Sequence, residues 1–286
     1  MFKYFSTFTG IGSIELAIEE ILPNSKCIGY SEINKNAILI YNKHFPKHKN
    51  YGDISQININ QLPDFDFLFG GSPCQDLSIA NFKRKSLQGS KSSLFFKFLE
   101  ILIVKKPKYF LLENVASMND ESIKTISNLL SCKPILLDAQ YFSAQRRKRL
   151  FWCNFFIKPI TKDIKNETIK DILQEVKETS KSRHICKSML VKIKERKLKI
   201  LMPTDKSNVC MVKQNRCPNA GMINDKYGLR FFTIQEYERL QCLPKNYTKG
   251  ISKLQREEVI GNAINVNVAR YIILNLKRQL EKNNEI

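Results

Sequence analysis

The residues in this sequence best suited to chemistry are a cysteine, a carboxylate and a group of arginines, each set against an apolar run. Cys74 lies in Phe69-Gly70-Gly71-Ser72-Pro73-Cys74-Gln75-Asp76, after the run Phe65-Asp66-Phe67-Leu68-Phe69. That run reads as a short buried strand, and the two glycines are expected to let the backbone turn sharply as it ends. Pro73 fixes its own φ and biases Ser72 towards extended backbone. A thiol held there is either a nucleophile, reacting as the thiolate, or a small buried apolar group. Glu113 follows a second run, Tyr109-Phe110-Leu111-Leu112. A strand there sets Glu113 on the same sheet edge as Cys74; the plainer reading is a carboxylate capping the next helix. Arg146-Arg147-Lys148-Arg149 precedes Leu150-Phe151-Trp152. Consecutive cations usually form a solvated face. Ahead of a buried aromatic strand, some must point along it, where an arginine fork suits a phosphate or a base carbonyl.

A further candidate is the turn Thr9-Gly10-Ile11-Gly12-Ser13, between a β-rich run over Lys3–Phe8 and a helix whose apolar set is Ile14, Leu16, Ala17, Ile18, Ile21 and Leu22. Such a turn offers N–H groups and a positive dipole end to an anionic group, whether pyrophosphate or the carboxylate of a methionine. Glu15 occupies the place of a third glycine, so the dinucleotide fingerprint is incomplete. Glu32, about 20 residues beyond Gly12 at the end of a strand over Cys27–Tyr30, has the spacing of an acid that accepts ribose hydroxyls. An ordinary tight turn before a core helix is the bland alternative.

The elements that must position these residues alternate. A helix is expected over Asn34–His44, a brief extended piece ending at Gly52-Asp53, and a helix over Leu94–Val104 capped by Ser92 or Ser93. A helix over Ser117–Leu130 and a strand over Ile135–Ala139 follow. This β-turn-α-β-α-β rhythm predicts an α/β fold, a mostly parallel sheet covered by helices on both faces. The polar, basic stretch 79–92 reads as a lid or linker. Composition shifts near Phe155. Residues 155–229 hold 17 Lys and Arg against 8 Asp and Glu, which predicts a separate small basic lobe over 155–230. Thr233-Ile234-Gln235-Glu236 is a capping box for a short helix, and Val259-Ile260-Gly261-Asn262 is expected to lead into a last helix over Ala263–Leu280.

Of the 286 residues, 43% are hydrophobic, which supports a real core and excludes global disorder. The longest apolar run, Ser93–Val104, is interrupted by Lys97 and Glu100, so no membrane span is expected. The N-terminus enters a strand pattern directly, unlike a signal peptide. Eight scattered cysteines form no Cys-x-x-Cys pair, which favours reduced thiols and a cytoplasmic setting. His184, Cys186, Cys210 and Cys217 match no standard zinc spacing, and no metal is expected. The net charge of +20 predicts a polyanionic partner, a nucleic acid. A composition biased towards Lys, Ile and Asn is the other source of such a charge.

Taken in order, these motifs resemble the C5-cytosine DNA methyltransferase family, bacterial or phage type, over nearly the whole chain. Phe8-Thr9-Gly10-Ile11-Gly12 resembles its cofactor loop. Glu32 with Ile33, and Asp53 with Ile54, resemble the positions that hold the ribose and adenine of S-adenosylmethionine. Gly71-Ser72-Pro73-Cys74-Gln75 is similar to the nucleophile loop, and Glu113-Asn114-Val115 to the base-holding motif. Gln145-x-Arg147-x-Arg149 is similar to the arginine motif beside the target base. Arg239-Leu240-Gln241 resembles the motif supporting the recognition lobe, and Gly261-Asn262 the C-terminal motif that completes the cofactor pocket. Two positions depart: Ser72 stands where a proline is common, and Ser13 where a second adjacent glycine is usual.

The resemblance implies a Rossmann-like S-adenosylmethionine-dependent methyltransferase fold. Its catalytic and cofactor domain would comprise 1–154 plus 231–286, with a target-recognition lobe over 155–230. It implies Cys74, Glu113, Arg147 and Arg149 as catalytic residues and Asn262 as a further cofactor residue. It also implies methyl transfer to a cytosine flipped from double-stranded DNA, without a metal, by a monomer that needs no membrane. A cognate restriction endonuclease is left open as a partner. One branch of the family acts on tRNA, but its Cys-Phe-Thr tripeptide is absent here. A relative that binds DNA without turnover is the remaining alternative.

Overall fold

Near-continuous apolar runs make the strands of the central sheet, as expected where both sheet faces are covered. The structure is a computed structural model describing residues 1–72, 93–160, 162, 164–177, 184–185, 187–195, 200–206 and 222–286. Strands β1 (Lys3–Thr7), β2 (Lys26–Ser31), β3 (Phe67–Gly71), β4 (Tyr109–Val115), β5 (Ile135–Asp138) and β6 (Lys148–Cys153) form one sheet in the order β2-β1-β3-β4-β6-β5. The pairs β1–β2, β1–β3 and β3–β4 are parallel, and β6 runs antiparallel to β4. Between them run helices α1 (Ser13–Ile21), α2 (Lys35–His44), α3 (Ser93–Lys105) and α4 (Asp120–Leu129). Asn34 caps α2 by accepting from the N–H groups of Asn36 and Ala37, and Asn119 caps α4 through the N–H of Ser122. The core under the sheet joins Phe5, Leu68, Phe98, Ile101, Leu112 and Trp152.

The sequence order reverses between β1 and β3, since the chain leaves β1 towards β2 and returns on its other side. In open α/β sheets this is where ligands bind, beyond the carboxyl ends of the strands. The turn Phe8–Gly12 and Ser72 follow β1 and β3 at that place.

Gly70 and Gly71 depart from expectation. They do not turn the chain; they continue β3 to its last residue. Their use is close approach. A Cβ on Gly70 would lie 2.1 Å from Thr7 Oγ1 and 2.7 Å from the Thr7 carbonyl, and one on Gly71 would lie 2.7 Å from Glu113 Oε2. Glu113 lies near the carboxyl end of β4, as expected, and the helix cap it could have supplied comes from Asn119. The extended piece expected before Asp53 is a single bridge, Tyr30 to Asn50. Gly261-Asn262 ends a helix instead of leading into the last one.

The described residues divide into two compact units, Met1–Leu137 with Lys148–Pro159 and Arg270–Ile286, and Asp138–Arg147 with Ile160–Ala269. The second contains helices α5 (Ile169–Ile172), α6 (Lys187–Lys194), α7 (Ile234–Leu240) and α8 (Lys253–Asn262). It also holds a small sheet, β7 (Ile200–Leu201), β8 (Met222–Asp225) and β9 (Gly228–Phe231). The capping box at Thr233 and Glu236 forms as read from the sequence. Glu236 does more: both its oxygens accept from Arg230 at 2.8 Å, with both side chains almost wholly buried. Breaking such a pair leaves one buried charge uncompensated. The final helix is α9 (Val266–Lys282). The run Lys253–Lys282 has the length and composition to cross a membrane, but 67% of its apolar window is buried within the protein, as in a core helix.

Gly70→Ala therefore forces backbone apart between β1 and β3. A loss of about 1–3 kcal/mol is expected, read from urea unfolding midpoints at unchanged slope. An unchanged midpoint would show that the strands can part without cost.

Candidate active site

At the carboxyl ends of β3 and β4 the sheet assembles a polar edge. Glu113 Oε1 accepts from Arg149 Nε at 2.8 Å, with the two side chains 14% and 17% exposed. Arg149 lies on β6 opposite Val115, so the pair bridges adjacent strands diagonally. The Glu113 carboxylate fills the space that any side chain at Gly71 would need. Next to it, buried Asn114 donates from Nδ2 to the Ser72 carbonyl at 3.1 Å and to Ser72 Oγ at 3.4 Å, tying β4 to the root of the following loop. Cys74 and the basic stretch 79–92 lie outside the described residues.

Arg147 is close to Arg149 in sequence but differs in environment. It precedes β6, and its N–H donates to Asp138 Oδ1 at 2.9 Å. Its buried guanidinium donates from Nη2 to the carbonyls of Gly261 at 2.6 Å and Ala263 at 3.0 Å. Gln241 Nε2 donates to Ile260 and again to Ala263, at 2.8 and 3.2 Å. Asn265 Nδ2 donates to the Leu240 carbonyl and to Ser143 Oγ. Three separate sequence motifs thus meet in the second unit. There Arg147 acts as a brace, and Asn262 is left exposed at the held turn. Gln241 and Asn265 were not singled out as site residues. The helix that presents this turn, α8, was missed too, although Ser252-Lys253-Leu254-Gln255 is a capping box that marks its start. Arg239 Nη1 donates to the carbonyls of Ile172 and Leu173, holding the end of α5.

The turn after β1 contains three residues in left-handed backbone, Phe8 (φ 52), Gly10 (φ 59) and Gly12 (φ 84). For Phe8 that conformation carries about 1–3 kcal/mol of strain, which surrounding contacts must hold. Gly12 caps α1, and a Cβ there would meet Phe45 at 2.5 Å. Glu32 is half-buried, and its oxygens accept from Gly10, Ile33 and Asn34 N–H groups at 2.8–2.9 Å. Asn50, another residue not anticipated, bonds the backbone of Glu32 and the N–H of Gly52, and Ser31 Oγ donates to the Gly52 carbonyl. These bonds bring the Glu32 and Asp53 segments side by side. Asp53 accepts from Ser55 N–H. Ile33 is 66% exposed, whereas the Ile54 side chain packs into the core.

Burial pushes the Cys27 thiol up to about 12 and those of Cys153 and Cys242 to about 11. Thiols held protonated in this way are poor nucleophiles at neutral pH. Among the described residues no group of three or more His, Cys, Asp or Glu could hold a metal ion.

A parallel sheet with an antiparallel strand inserted before its edge, carrying its polar residues at the β1/β3 reversal, defines a Rossmann-like methyltransferase fold. The solved structure of Schizosaccharomyces pombe Dnmt2 methyltransferase shares this fold, at a TM-score of 0.81 and 22% identity, covering 98% of this chain and 99% of that one. Residues 2–200 and 152–278 match the family of C-5 cytosine-specific DNA methylases, and the chain belongs to that family. It is 29% identical to the type II methyltransferase M.BsuFI of Bacillus subtilis, over 97% of this chain and 73% of that protein. It is 35% identical to the orphan methyltransferase M.SPRI of Bacillus phage SPR, over 62% of this chain. The match spans 43% of that phage protein and 32–37% of two other curated relatives.

Burial raises the Glu15 carboxyl above its ordinary 4.5, against the pull of hydroxyl donors on Thr9, Ser6 and Tyr41. A raised carboxyl gives stability that is present below the unfolded value and lost as pH rises through the folded one. Glu15→Gln replaces the titrating carboxyl with a neutral amide, so the variant should gain on the parent as pH rises above about 4.5. Urea unfolding across this range checks it; a pH-independent difference would contradict the assignment.

Proposed function

We infer that this chain is a DNA (cytosine-5-)-methyltransferase, which transfers a methyl group from S-adenosylmethionine to C5 of a cytosine flipped from double-stranded DNA. The observation that carries this reading is the Glu113–Arg149 ion pair, set over Gly71 and three residues ahead of Cys74 in the family's nucleophile motif.

Cytosine C5 is a poor nucleophile because the ring is electron-poor. A thiolate added at C6 breaks the conjugation and makes C5 enamine-like, dividing one hard step into two. Cys74 is the proposed thiolate, forming the S–C6 bond while electron density moves towards C5, N3 and O2. Glu113, carrying a proton once the base is in place, would donate to N3 and accept from the 4-amino group, and Arg149 would donate to O2, so that donors stand where negative charge develops. Their ion pair keeps both groups aligned before the base arrives. After C5 has taken the methyl group, a base acting through water takes the C5 proton; the C–H electron pair re-forms the C5–C6 double bond, the S–C6 bond breaks and Cys74 departs as thiolate. Arg147 contributes by bracing the turn that carries Asn262. Flipping the base costs a few kcal/mol of stacking and pairing, which contacts to the duplex must offset.

The turn after β1 fits the cofactor. Its left-handed residues open onto the start of α1, which suits an anionic end; Glu32 offers a carboxylate for a ribose diol; and exposed Ile33 offers an apolar face for a base. Phe8, Thr9, Gly10, Ile11, Gly12, Glu32, Ile33, Asp53 and Asn262 would hold it, with Ile54 contributing backbone alone. When bound, S-adenosylmethionine supplies the electrophilic methyl group. The basic lobe 155–230 is proposed to read the duplex, with 1–154 and 231–286 carrying cofactor and chemistry, in a cytoplasmic monomer. A cognate restriction endonuclease is a natural partner for such an activity.

The test is methyl transfer from labelled S-adenosylmethionine to duplex DNA or to tRNA. Label in the duplex is expected, abolished in Cys74→Ser and reduced about 10²–10³-fold in Glu113→Gln. Label in tRNA alone, or full activity of the serine variant, sinks the reading. Trapping by a duplex carrying 5-fluorocytosine separates a live nucleophile from a protein that only binds.

A further inference from the structure

Glu15 is a carboxylate buried to 1% exposure in a chain with abundant surface for charge, and the mechanism above does not use it. It occupies the third position of α1, where an acid ordinarily reaches back to the cap residue's N–H. Here it turns to the strand and the loop instead. Its Oε1 accepts from Ser6 Oγ on β1 at 2.7 Å, from Thr9 Oγ1 in the turn, and from Tyr41 OH on α2 at 3.2 Å. Ser6 Oγ also reaches Thr9 Oγ1 at 3.2 Å, and Tyr41 OH lies 2.9 Å from His48 Nδ1. Its other oxygen, Oε2, is buried with no hydrogen-bond partner. A buried carboxylate left half-satisfied is a costly arrangement, so three hydroxyls gathered on one oxygen call for a use.

The turn is held from both sides by carboxylates at successive residues: Glu15 takes the Thr9 hydroxyl, and Glu32 takes the Gly10 N–H at 2.8 Å. The two anchors are not equivalent. Glu32 is half-exposed and is the residue a ribose would draw on, so its hold on Gly10 competes with the ligand. Glu15 is buried to 1% exposure, so a ligand at the turn does not compete for its carboxyl. We propose that Glu15 is a positioning residue for the cofactor turn: through Thr9 it keeps Phe8–Gly12 in its left-handed, ligand-ready conformation. This rests on the cofactor reading above and adds to it a residue that does not touch the cofactor.

The affinity of the intact chain for S-adenosylmethionine, by calorimetry, tests it, with affinity for duplex DNA measured alongside. Glu15→Leu removes the acceptor and should weaken S-adenosylmethionine about ten-fold, the scale of one or two hydrogen bonds, with duplex affinity unchanged. Glu15→Gln keeps an oxygen for the same hydroxyls and should restore binding to within about two-fold. Thr9→Val should weaken binding alone, yet add nothing to Glu15→Leu. Should the leucine variant not fold, the glutamine variant and Thr9→Val decide: a glutamine variant as weak as expected for the leucine one, or Thr9→Val at parental affinity, overturns the proposal. So does a leucine variant that binds normally, or losses that simply add. If the parent chain itself fails to bind S-adenosylmethionine, the cofactor reading falls, an outcome distinct from a parent that binds and variants that do not differ.

Discussion

The constraint on which the rest of this structure depends is how closely β3 approaches its neighbours at its carboxyl end. Thr7 on one side and Glu113 on the other leave no room for a Cβ at Gly70 or Gly71. Because those positions are bare, β1 pairs with β3 through Thr7 and Gly70, and β3 with β4 through Gly71 and Glu113. The ends of β1 and β3 then lie side by side, at the point where strand order reverses. A side chain at Gly71 would displace the Glu113 carboxylate, and with it the partner that orients Arg149. Steric emptiness here does what a hydrogen bond does elsewhere: it fixes where a charge can stand.

Within each of the two units the structure uses buried polar groups mainly to hold backbone. Asn114 secures the root of the cysteine loop, Asn50 joins the Glu32 and Gly52 segments, and Arg147 with Gln241 closes the turn that ends α8. Each places a polar side chain on carbonyl or N–H groups that no ladder or helix satisfies, where an orphan would be expensive. Arg230 and Glu236 instead pair side chain to side chain between β9 and α7. The groups left partly exposed, Glu32, Glu113 and Arg149, are the ones with capacity to meet a ligand.

Much of the fold was legible because its strands are continuous apolar runs and several helices begin at strong caps. Asn34 and Thr233 marked α2 and α7 correctly. Helix α8 was missed because its apolar periodicity is weak, although its capping box was present in the sequence. Glu113 was located at the strand's carboxyl end by the apolar run before it. Arg147 and Arg149 read as one motif. They diverge because β6 starts at Lys148: the strand's pleat aims Arg149 at Glu113, while Asp138 captures the backbone of Arg147 and turns its guanidinium to Gly261 and Ala263.

What the sequence alone determined is the alternation of strands and helices, the basic character of 155–230, and the identity of the reactive residue types. These follow from local composition and periodicity, which need no partner to be read. The tertiary structure decided what the two glycines are for, which arginine meets the carboxylate and which braces a turn, and that Glu15 faces inward to Ser6, Thr9 and Tyr41. Each of those depends on atoms contributed by segments far apart in the chain. Close approach, ion pairing and burial exist only once the sheet has brought those segments together.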